Sequence, residues 1–595
     1  MKSSSVRLPF YAALMAALAL GSLVPATADA RPIFADARRQ LGGNISPYAH
    51  FLIGRFAMTQ GDIGTAANAM GAAAFGDPTN GELQEKAFLV GILNGNLDQA
   101  VLLAADLTPT TQTSRFMVPM IGAVTAVKAG KPAIAQKNID AALAVNGRGR
   151  AAVLLKPYIQ AMNGDWKAAV DESGEAAVAP GDRDKLLDML VRSERARLHE
   201  LKGRHKEAEA IYTALYQPGA AAFIFGPDYA GFLERRGRKA EARTVWAEIV
   251  TQSGDPTAVL AIKRIDGPND ARPALPDLKQ SMAQALFLAA TLSFSERDSE
   301  MALATLRLSL HLDPGSERGR IFLGQIQQEL RDPSAAEAAW ASVPTNSVYA
   351  NEATLRRIWN LRNRGETNSA LSLANQALAR DPDNLSLVME KASILHESQD
   401  DAGALDLLNG RIARAGSGDF TWQTWFLQAM LYDGVNQWDK AEEAINKARA
   451  LNETRPEVLN FLGYGWINQG VKVEEGMELV RQALAVNPKS GAMLDSLGWG
   501  YYKLGDYDQA LTYIEQAVQL APSDAEINEH LGDVYKAVGR DIEATYEWQR
   551  VLTLGASDKQ AAAVRRKLEA QAAAAKVETP VKITALNETA QPVQP

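Results

Sequence analysis

Apolar residues recur at spacings of three and four along most of this chain, in short runs separated by Gly, Asp or Pro. Residues 491–524 show the unit most plainly. Leu494, Leu497, Tyr501 and Leu504 share one face of a helix. Beyond Leu504-Gly505-Asp506, a second face is formed by Ala510, Tyr513, Ile514 and Ala517. Gly505 stands where the chain must reverse, and glycine takes a positive φ without steric cost. Pro522 ends the second segment. The pattern predicts two antiparallel helices in a hairpin 34 residues long.

The unit then recurs. Leu531-Gly532, Tyr535, Gly539 and Ala544 copy Leu497-Gly498, Tyr501, Gly505 and Ala510 at an offset of 34. Leu462-Gly463, Trp466, Gly470 and Gly476 precede them in nearly the same register. Small residues at 498 and 510 are needed where two helices cross closely, since a bulkier group there costs roughly 1–3 kcal/mol. This period and these residues resemble the tetratricopeptide repeat (TPR) family. The resemblance implies an all-α solenoid, a right-handed superhelix of helix pairs whose first (A) helices line a concave groove. The register marks give about 14 repeats in two arms. In the unit around Gly324, Pro333 occupies the turn in place of the usual glycine.

The remaining stretches divide the chain. Residues 1–30 carry Lys2 and Arg7, an apolar run from Leu8 to Val24, and Ala28-Asp29-Ala30, the pattern of a secretory signal peptide with a cleavage site. Residues 31–46 read as a lead containing Gly42-Gly43, and 47–253 as a first array of six units. The Pro/Gly/Asp-rich stretch 254–277 reads as a linker. Residues 278–556 form a second array of eight units, 557–574 a terminal helix and 575–595 a disordered tail. No later stretch is apolar enough to span a bilayer. The short positive n-region points to a bacterial periplasm.

Composition narrows the chemistry. The chain has no cysteine, so no disulfide and no thiol nucleophile. The formal charge of −8 becomes −9 without residues 1–30, which argues against nucleic acid as partner. None of the six histidines has zinc-helix spacing, and no nucleophile elbow or P-loop occurs. No cofactor and no catalytic constellation is expected. Candidate function therefore lies on the groove-facing A-helix positions. These are Trp359, then Asn460, Tyr464 and Asn468, then Asp495, Trp499, Tyr502 and Lys503, then Glu529, Asp533 and Lys536.

Trp246, Trp340, Trp425, Trp466 and Trp548 fall at packing positions, whereas Trp359 and Trp499 point toward the groove. On this reading Trp499 and Tyr502 are contact residues removable without loss of fold. The pairs Asn460/Tyr464, Asp495/Trp499 and Glu529/Asp533 lack the Lys and Asn of the family's carboxylate clamp, so the expected partners are other proteins or extended peptides.

The phrases Asn460-Phe461-Leu462-Gly463-Tyr464 and Leu494-Asp495-Ser496-Leu497-Gly498-Trp499 resemble a proteobacterial group of envelope TPR proteins. Its best understood kind is an outer-membrane lipoprotein that delivers cell-wall hydrolases to a carboxy-terminal processing protease. This chain lacks the lipid-bearing cysteine. The resemblance implies a non-enzymatic scaffold or adaptor in the cell envelope. The rival expectation is an assembly scaffold for a polysaccharide-export or secretion complex.

Overall fold

A computed structural model describes residues 45–171, 182–216, 222–268, 271–415 and 420–577. The expected signal peptide lies outside them, as does the tail from residue 578 onward. The described residues hold 30 helices and no strand. Two helices stand alone, Pro256–Asp266 and Asp558–Val577. Setting these 2 aside from 30 leaves 28, or fourteen consecutive helix pairs, as the periodicity predicts.

Each pair is built from local signals. Helix Gly491–Leu504 starts at Ser490, whose side chain accepts from the Met493 N–H at 3.4 Å. It stops at Gly505, which takes φ 79°. Asp506 then caps helix Tyr507–Leu520 by accepting from the Gln509 N–H at 3.2 Å. The two helices cross where a Cβ on Gly498 would lie 3.2 Å from the Ala510 carbonyl oxygen. Helix Arg150–Met162 runs through Pro157 without ending. In the unit around Gly324 the left-handed turn residue is Arg331, at φ 63°. Pro333 is instead the first residue of helix Pro333–Ala341, where its fixed φ suits a helix start.

The chain forms two compact units, 1–365 and 366–595. The division falls in the turn after helix Ala350–Asn363, whereas the Pro/Gly/Asp-rich stretch at 254–277 lies inside the first unit. Within that stretch, helix Pro256–Asp266 packs on helix Lys239–Ser253. The next pair, Leu278–Ser295 and Ser299–Leu312, folds back onto the first array. Its first helix packs on helix Arg150–Met162, and its second on helices Gly81–Asn94 and Gln112–Lys128. Those three are A helices. Arg150 and Glu296 join the two surfaces with paired hydrogen bonds of 2.8 and 2.5 Å. Arg307 donates from Nε to the Leu93 carbonyl at 3.2 Å, at the C-terminal end of helix Gly81–Asn94 where a cation is favoured. The consequence is one continuous core running from Ala57 to Ala339.

The second unit is organised differently. Its buried residues fall into separate clusters, each shared by neighbouring hairpins. That is the packing expected when each repeat contacts only its neighbours. The terminal helix Asp558–Val577 covers the last hairpin through Val564 and Leu568. It also turns Arg565, Arg566 and Glu569 to solvent.

Candidate functional site

The A helices Trp422–Gly434, Pro456–Gln469, Gly491–Leu504 and Ala525–Ala537 line one face of the second unit. The second of these packs directly on the third, and the third on the fourth. Ten of the eleven expected groove residues lie on or beside this face; Trp359 lies in the first unit.

The structure brings several of them into one cluster. The Asp495 carboxylate meets His530 Nδ1 at 2.9 and 3.0 Å. The His530 ring stacks on Trp499 at 3.9 Å, and Trp499 stacks on Tyr502 at 4.5 Å. Tyr464 donates its hydroxyl to the Glu526 carboxylate, linking hairpins two repeats apart. Lys503 lies over the Trp499 ring at 5.2 Å and donates to the Asn468 carbonyl at 3.2 Å. The Asn460 Oδ1 is buried with no hydrogen-bond partner. At the far end, Lys567 of the terminal helix bonds Glu529 at 2.6 Å and Asp533 at 2.7 Å. Trp548 donates to Asp533 at 3.0 Å, and Lys536 pairs with Asp541 at 2.9 Å.

This geometry corrects the expectation for Trp499. It is 7% exposed, enclosed between Tyr502 and His530 rather than open as a contact residue. Asp495 is buried as well. The cause is the approach of successive A helices on their shared side, which lets a large ring on one helix fill the gap to the next. Trp359 does stand open, at 49% exposure. Trp246, Trp340 and Trp548 are buried, as packing positions should be.

Electrostatics mark the same cluster. Burial drives the His530 imidazole down. The Asp495 carboxylate, by charge and hydrogen bond, with Glu526 and Asp533 behind it, outweighs burial and holds the group up at about 8. Burial raises the Glu526 carboxyl, against the pull of His530 and the Tyr464 hydrogen bond. Burial likewise raises Asp433, with Lys559 opposing. The Tyr464 hydroxyl is pushed well up by burial and by the Glu526 charge. Glu526 and Asp433 nonetheless remain open to solvent. Both carboxylates have protein groups packed around them and still meet water.

Sequence reasoning missed His530, Glu526 and Asp433. The signal for the first two was present: Glu526, His530 and Asp533 are spaced by four and three, one face of a helix. Among the described residues no three His, Asp or Glu side chains are grouped as a metal site. No described helix is long and apolar enough to cross a membrane.

Models of the tetratricopeptide repeat match residues 123–185, 355–419 and 493–524. A TPR repeat-containing protein of Pseudomonas aeruginosa is 27% identical over 212 residues, 36% of this chain and 35% of that one. A human protein O-mannosyl-transferase is 25% identical over 214 residues, 36% of this chain and 24% of that one. The chain thus spans no more than 35% of the length of these curated relatives. Among solved structures, a tetratricopeptide repeat protein from Parabacteroides merdae is similar at 15% identity. The match covers 43% of this chain and 98% of that one, with TM-score 0.36. The APC/C hetero-tetramer Cut9–Hcn1 is similar at 14% identity, over 91% of this chain and 99% of that one, also with TM-score 0.36. The chain carries tetratricopeptide repeats, modules that mediate protein–protein interaction.

Proposed function

We propose that this protein is a non-enzymatic adaptor of the bacterial cell envelope, exported by residues 1–30, which holds partner proteins or extended peptides on its second unit and presents them to a periplasmic processing protease. One observation carries the assignment to the second unit. In the first unit, three A helices are covered by the chain's own helices Leu278–Ser295 and Ser299–Leu312. In the second, Asp433 and Glu526 stay open to solvent on the A-helix face. Carboxylates that are partly desolvated yet still reached by water favour a partner that brings cationic or hydrogen-bond-donating groups. The export signal and the phrases at 460–464 and 494–499 support the envelope and the protease.

The test is crosslinking of the tagged protein in cells, followed by identification of what is captured. Recovery of a processing protease together with cell-wall hydrolases is the expected result. Recovery of a polysaccharide-export or secretion complex without a protease would replace the adaptor role with that of an assembly scaffold.

A further inference from the structure

The two ends of the described chain are finished differently. The C-terminal end carries a helix that shows Arg565, Arg566 and Glu569 to water. Solenoid arrays require such a polar cap to stay soluble. Among the described residues, the helix at the other end, Pro47–Thr59, has none. It buries Gly54 and Ala57 against the next helix and leaves the opposite face open. On that open face lie Tyr48, Leu52 and Phe56, with Ile53 at its edge and Ile45 just before the helix, all exposed, Tyr48 and Phe56 at 67% each. Tyr48, Leu52 and Phe56 are spaced four apart, a single stripe. The helix holds no acidic residue, and its one Arg, Arg55, lies over the Phe51 ring.

We infer that this face is the interface between two copies of the chain, paired antiparallel about a two-fold axis at Leu52. Three properties select a second copy as occupant. First, the stripe is aromatic, aliphatic, aromatic at equal spacing, so it reads alike in both directions. An antiparallel pair sets Tyr48 against the partner's Phe56 at both ends, with Leu52 on Leu52 at the centre. That is the self-complementarity a two-fold interface demands. Second, the area suffices. With aromatic side chains carrying about 150–250 Å2 each, the five residues offer roughly 500 Å2 per copy. Full burial of both faces would remove about 1,000 Å2 from water, the lower bound for a specific interface. Third, no charge opposes the contact, because the stripe itself is uncharged. The inference is independent of the adaptor role, since the face lies in the first unit.

The absence of cysteine makes the test direct. The purified chain is expected to sediment as a dimer at micromolar concentration. Leu52→Asp is expected to convert it to a monomer, weakening association by about thirtyfold or more, as the loss of a central anchor does. Its melting temperature should match that of the parent diluted to where it is monomeric, because Leu52 faces away from the hairpin. Leu52→Cys, a mild change, should form a disulfide-linked dimer on oxidation, because facing helices at a two-fold axis bring equivalent Cα atoms within bonding range. Lys137→Cys, exposed on helix Pro132–Val145, should not. A monomeric parent chain would overturn the inference and leave the face to residues 31–44 or to a different protein. A dimer that survives Leu52→Asp, or a Cys at 52 that fails to crosslink, would overturn it equally. Should Leu52→Asp disturb melting, the crosslink alone decides.

Discussion

His530 sits where burial and charge oppose each other, and charge prevails. Its ring is hydrogen-bonded to Asp495, stacked on Trp499 and near Glu526 and Tyr464. Folding raises the imidazole from its ordinary 6.5 to about 8. The stabilisation is therefore complete below pH 6.5 and is lost as the pH rises through 8, by on the order of 2 kcal/mol. Melting of the parent protein should fall across that window, and the His530→Gln variant should melt at nearly constant temperature through it. Trp499 makes a second test at this scale. Truncating a buried Trp costs about 3–5 kcal/mol. Trp499→Ala should thus loosen the hairpins from 491 to 551, seen as faster hydrogen exchange there. Intact protection would restore the contact role that the register alone assigned. The register could identify which positions face the shared side of the A helices. It could not show how closely adjacent repeats approach there, and that distance decides whether a ring is a contact or a filler.

Single hairpins were legible because their instructions are local. Caps such as Ser490 and Asp506, the left-handed Gly505 and the small residues at the crossing all lie within one repeat. Two glycines separate two kinds of constraint. A Cβ on Gly463 would lie 2.6 Å from the Gly476 carbonyl oxygen, and one on Gly476 would lie 2.7 Å from that of Gly463. Gly463→Ala must push two backbones apart, at about 1–3 kcal/mol. At Gly505 a Cβ meets nothing within 4 Å, so Gly505→Ala carries only the cost of φ 79°, about 1 kcal/mol. Denaturation midpoints should rank the two variants in that order, and a larger shift at Gly505 would show that its turn is crowded after all. The return of helices Leu278–Ser295 and Ser299–Leu312 onto the first array was harder to read, since it joins residues more than a hundred positions apart. Its trace in the sequence is a helix apolar nearly all round: Ala302, Leu303, Ala304, Leu306, Leu308 and Leu312 are all buried. An ordinary surface helix has one apolar stripe; a helix enclosed by neighbours has several.

That return gives the molecule its division of labour. The inserted helix pair shares the continuous core of the first unit, and the proposed binding face is the A-helix face of the second. Leu306→Ala, at a fully buried position, should cost about 2–5 kcal/mol. The loss should spread beyond its own hairpin, raising hydrogen exchange in helices Gly81–Asn94 and Gln112–Lys128, which pack on it. Exchange confined to 299–312 would mean that the array holds its shape without the insert. On the proposed function, partners are held on the second unit. A photo-reactive residue placed at Asp433 or at Glu526, with Lys137 on the first unit as comparison, tests it in living cells. Positions 433 and 526 should capture the same envelope protein, and position 137 should not. Capture from 137 with none from 433 or 526 would contradict it.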